Sequence, residues 1–64
     1  MPVVTIDLLT GREPAKKEAL AGRITQAFQD VLGTKPENLN IIFNEVTRDS
    51  WAVNGKLLSS GDKG

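Results

Sequence analysis

Asn40-Ile41-Ile42-Phe43-Asn44-Glu45-Val46 is the stretch on which the architecture turns. Its centre is a nearly continuous apolar run, of the kind expected for a strand covered on both faces of a sheet. A second run of this type lies near the start of the chain, from Val3 to Leu9. There Val4, Ile6 and Leu8 fall on one face, and Val3, Thr5, Asp7 and Leu9 on the other. Between the two runs the apolar residues change period. Leu20, Ile24, Ala27, Phe28 and Val31 form a single stripe at helical spacing, with Lys16, Lys17, Arg23 and Gln26 assigned to the wet side. Pro14 suits a first helical position and Glu13 a dipole-compatible cap. Gly33 supplies a left-handed stop, and Pro36 keeps the helix from resuming. The spacing therefore predicts a helix over Pro14 to Leu32. A strand, a long helix and a second strand make one right-handed crossover, so the two strands are expected to be parallel.

After Thr47 to Ser50, the segment from Trp51 to Leu58 reads as a small hairpin turning at Asn54-Gly55, a dipeptide that favours the tight primed turn. Ser59 to Gly64 reads as a frayed tail. Nothing repeats and nothing marks a second domain, so residues 1–64 are expected to form a single α+β domain. That domain is small. A monomer of 64 residues buries only about 60% of the surface its unfolded chain exposes. Two parallel strands, one helix and a hairpin leave a sheet face without cover. With no cysteine to form a disulfide, oligomerisation is the expected staple. Eight basic and eight acidic residues give zero net charge. Scattered as they are, they lack the cationic footprint of a nucleic-acid binder. No targeting segment or membrane-spanning stretch is evident, and a cytoplasmic location is the expectation.

The chemistry begins at Pro2. The chain contains neither His nor Cys, and so lacks the usual neutral-pH base, thiol nucleophile and zinc ligands. Removal of Met1, which is expected ahead of proline, exposes a secondary amine. Free α-amino groups have reference pKa values of about 7.7 to 8.0, and an apolar pocket beside cations lowers them further. Three other residues stand out, each with two readings. Arg12 precedes the helix start, where the helix dipole disfavours a cation, and is either a solvated loop residue or an anion ligand. Trp51, the single tryptophan, is either interface filler or a ligand contact. Asn40 is either a strand-boundary residue or a hydrogen-bond donor to a ligand.

Taken together, the order and spacing of these elements resemble the tautomerase superfamily, and within it the short 4-oxalocrotonate tautomerase group. The matching pieces are Pro2, the Leu8-Leu9-Thr10-Gly11-Arg12 turn, the crossover helix, the Ile41-to-Val46 strand and Trp51-Ala52-Val53-Asn54-Gly55. They run from Pro2 to about Ser59. The resemblance implies a β-α-β protomer completed by assembly into a homohexamer, a trimer of dimers. It also implies a cofactor-independent tautomerase acting on a small enol or keto acid, with no metal. Pro2 takes the base and then the acid role, and Arg12 of a neighbouring protomer binds a substrate carboxylate. Asn40 and Trp51 complete the substrate-binding set, Trp51 as an apolar wall.

Two positions depart from the family pattern. Where the best characterised members carry a second arginine, this chain has Asn40. An uncharged donor there weakens stabilisation of a developing oxyanion by on the order of 2 to 3 kcal/mol. The resulting expectation is poor action on the dicarboxylate 2-hydroxymuconate and better acceptance of a monocarboxylate enol. The sister chemistry of hydrating 3-haloacrylates needs an arginine and a glutamate at positions that align with Leu9 and Val53, so hydratase or dehalogenase activity is the weaker expectation. The alternative from another class is a non-catalytic oligomeric module, or a member whose activity has decayed.

Overall fold

The computed structural model describes residues 1–61. The first strand, β1, spans Val3–Leu9, the helix α1 spans Pro14–Leu32, and the second strand, β2, spans Asn40–Val46. β1 and β2 pair in parallel with Val3 opposite Asn40 and Leu9 opposite Val46. This is the crossover expected from the alternation of periods. α1 opens at Glu13, whose extended backbone carbonyl accepts the amides of Lys16 and Lys17 while its side chain makes no capping bond. It ends where Gly33 turns left-handed at φ 69°, a geometry that costs glycine nothing. A 3-10 turn at Pro36–Asn38 leads into β2, and a second at Arg48–Ser50 leads out of it. The hairpin then forms from β3 (Ala52–Val53) and β4 (Lys56–Leu57). Asn54 and Gly55 at its tip have φ of 55° and 77°, as a type I′ turn requires.

The C-terminal expectation needs correcting. Leu58–Gly61 is a 3-10 turn rather than a frayed end. It is tied back by the Ser60 hydroxyl donating to the Leu57 carbonyl at 2.6 Å, and by the Leu58 amide donating to the Trp51 carbonyl at 2.9 Å. The rest of the anticipated tail, 62–64, lies outside the described residues.

α1 covers one face of the parallel pair, where Val4, Ile6 and Leu8 of β1 and Ile41 and Phe43 of β2 are half-buried. Lys17, expected on the wet side, points toward the sheet and bonds Glu45 of β2 at 2.7 Å. The reason is spacing: Lys17 stands three residues before Leu20 and seven before Ile24, on the apolar side of the helix. The other sheet face is open. Val3 is 56% and Ile42 48% exposed there, beside Thr5 and a cross-strand bond from Asn44 Nδ2 to Asp7 Oδ1 at 3.2 Å. The apolar stripe of α1 is also wider than the sheet it meets. Ile24 and Phe28 are half-buried, whereas Leu20, Ala27 and Val31 are exposed.

No residue described is fully buried. The radius of gyration is 15.3 Å, against about 11 Å for a compact chain of this length. A chain with this much apolar surface in water does not hold its shape alone, so the cover that β2 was expected to have on both faces has to come from other copies. No helix among the described residues is long and apolar enough to cross a membrane.

Candidate active site

Parallel pairing brings Pro2 and Asn40 to the same end of the sheet. The Asn40 amide donates to the Pro2 carbonyl at 3.1 Å, one residue before β1 begins. Pro2 itself is half-buried, whereas Met1 is 83% exposed. A ring without an N–H has no ladder bond to give at this position, so proline is tolerated at the strand's edge. Asn40 thus stands beside the residue whose nitrogen is the candidate base.

Arg12 does not. It follows the other end of β1, past Thr10, whose amide still donates to the Val46 carbonyl at 3.0 Å. Six steps along a parallel strand separate Val3 from Leu9, roughly 20 Å, which exceeds the reach of an arginine side chain. The guanidinium instead helps line a cavity of about 360 Å³ with Leu8, Lys16, Lys17 and Leu20. Trp51 also follows from that end, through the turn after β2, and is half-buried. One chain therefore holds the four residues as two separate pairs, Pro2 with Asn40 and Arg12 with Trp51 beyond opposite ends of the sheet.

Two features escaped sequence reading. The contact between Asn40 and Pro2 follows from register, which is defined only once both strands are paired. Lys16 was set among solvated residues, yet it lines the Arg12 cavity. Its signal was its place four residues before Leu20, on the same helix face. Among the described residues there is no cluster of acidic or sulfur side chains that could hold a metal ion.

The family model described as tautomerase enzyme matches residues 2–61. The chain belongs to the tautomerase family, and its kinship is with the 4-oxalocrotonate tautomerase group. It is 36% identical over 59 residues to the 2-hydroxymuconate tautomerase of Bacillus subtilis, a match covering 92% of this chain and 95% of that one. A crystal structure of a 4-oxalocrotonate tautomerase homologue superposes with a TM-score of 0.88 at 41% identity, covering all of both chains. A heterohexameric 4-oxalocrotonate tautomerase from Chloroflexus aurantiacus shares the fold at 24% identity, with a TM-score of 0.86 over 95% of this chain and 98% of that one.

Proposed function

We propose that the protein is a keto–enol tautomerase that converts a 2-hydroxydienoate or related enol acid to its 2-oxo isomer, using the amine of Pro2 after Met1 is removed. The nitrogen lone pair accepts the enol hydroxyl proton. The oxygen electrons form the carbonyl, and the displaced π electrons take the proton back from nitrogen at carbon. Asn40, beside Pro2, donates a hydrogen bond to the substrate oxygen as charge develops there. Arg12 holds the carboxylate, and Trp51 walls the site against water, which favours the uncharged amine. No cofactor takes part.

The observation that carries this reading is the separation of Pro2 from Arg12 within one chain. A base without an anion ligand at one end, and an anion ligand without a base at the other, make sense when copies meet end to end. The open sheet face and the uncovered edge of α1 supply the surface for that meeting, and we assign the assembly as a homohexamer built from three dimers. Chains of a fold relative assemble as a heterohexamer, which supports an oligomer of this order.

Subunit mixing tests both halves of the proposal. Pro2→Ala with Met1 removed and Arg12→Ala are each expected to lose 10²-fold or more of the ketonisation rate, on the scale of general acid–base catalysis. Unfolded together and reassembled in equal amounts, they should recover about a quarter of the parent activity, because a random pairing joins an intact Pro2 to an intact Arg12 in that fraction of sites. Recovery of nothing would place both residues in one chain's site. A correctly trimmed parent protein that leaves enol acids untouched would end the tautomerase reading.

A further inference from the structure

The cavity beside Arg12 contains more positive charge than one carboxylate contact needs. Of the three cations lining it, Lys17 is neutralised by Glu45 at 2.7 Å. Among the described residues neither Arg12 nor Lys16 has an ion-pair partner. Glu13, next to Arg12 in sequence, does not line the cavity. Lys16 stands four residues before Leu20, so its methylene stem lies along the apolar helix face while the ammonium stays at the mouth. Leu8 and Leu20 form the dry walls. Two like charges at the mouth of one apolar cleft repel each other, and low-dielectric walls focus their field into the space between them. An anion in that space relieves both.

We propose that Lys16 joins Arg12 in holding a carboxylate remote from the reacting enol, so that the site selects dicarboxylate enol acids over monocarboxylate ones. The enol part of this statement rests on the tautomerase reading; the anion cleft does not. Asn40 removes charge at the Pro2 end, where the oxyanion develops, and taken alone it favours monocarboxylates. Lys16 adds charge at the Arg12 end, which reverses that preference. Because the remote carboxylate keeps its charge throughout the reaction, the contribution of Lys16 is made equally in ground and transition states and falls on KM rather than kcat.

The test compares the parent protein, Lys16→Gln and Lys16→Arg, all with Met1 removed, on 2-hydroxymuconate and on 2-hydroxypenta-2,4-dienoate, which lacks the second carboxylate. Lys16→Gln is expected to lower the dicarboxylate-to-monocarboxylate ratio of kcat/KM about tenfold, the loss of one charge-assisted contact, through KM, with Lys16→Arg restoring it. Equal loss on both substrates, or an unmoved ratio, overturns the proposal. Calorimetric titration with adipate and with hexanoate, neither of which has an enol, separates the two readings. Adipate binding that weakens in Lys16→Gln, in a protein that turns over no enol, upholds the cleft and ends the tautomerase reading. Normal turnover with an unmoved ratio and unmoved adipate binding ends the cleft alone. Failure of the parent protein to bind adipate more tightly than hexanoate also overturns it.

Discussion

The β1–α1–β2 crossover and the segment from Thr47 to Gly61 solve the same problem in different ways. In the crossover, long elements run side by side and bond at a distance in sequence: seven register pairs join strands 37 residues apart. In the C-terminal segment every bond is short-range. Thr47 donates to Asp49, the Arg48 guanidinium to the Leu58 carbonyl at 3.1 Å, and β3 pairs only with β4. The crossover has one finished face and one raw face, whereas the segment holds its own backbone in order without a core of its own. The difference teaches where a small chain places its dependence on others. A sheet demands a partner for a whole surface, while an arm of turns demands only something to lie against.

Three substitutions break or sharpen that contrast. Ile42→Asp places a carboxylate on the raw face and should do the most, since an unpaired charge buried on assembly costs several kcal/mol. Sedimentation velocity is expected to show dissociated chains, and an unchanged assembly would mean that this face stays in water. Gly55→Ala acts on the arm. Nothing lies within 4 Å of the added Cβ, so the whole effect is the left-handed backbone at φ 77°, about 1 to 2 kcal/mol. Denaturant unfolding at fixed protein concentration reads that loss, and a larger one would reveal a copy packed against the hairpin tip. Lys17→Met removes the tie from α1 to Glu45 and should cost least, under about 1 kcal/mol for a partly exposed pair. A much larger drop in the unfolding midpoint would show that assembly buries the pair.

The same contrast explains what could be read without coordinates. The crossover elements were legible to their ends because each end carries its own chemistry: Pro14 at the first helical turn, Gly33 at the left-handed stop, and apolar runs of even length in both strands. The hairpin tip was equally plain in Asn54-Gly55. The three short 3-10 turns were not, because three or four residues carry no period, and Pro36 reads as a barrier to a helix as easily as the start of a turn. The helix face was read too generously. Leu20, Ala27 and Val31 belong to the apolar stripe but find no sheet beneath them, since a stripe in sequence records every surface that will be covered and not which chain covers it. For the same reason the site residues could be nominated one by one, while the gap between Pro2 and Arg12 emerged only from the register of the strands.

The bond from the Asn40 amide to the Pro2 carbonyl bears on how an end of a polypeptide becomes a tool. Chain ends ordinarily wander, and a wandering reagent must be caught before it reacts. Here the tether grips the atom group immediately beyond the ring, and proline has no amide hydrogen in the ladder to forfeit. Cutting off the leading methionine therefore frees the nitrogen without loosening its mooring, and the amine is aimed from the moment it is made.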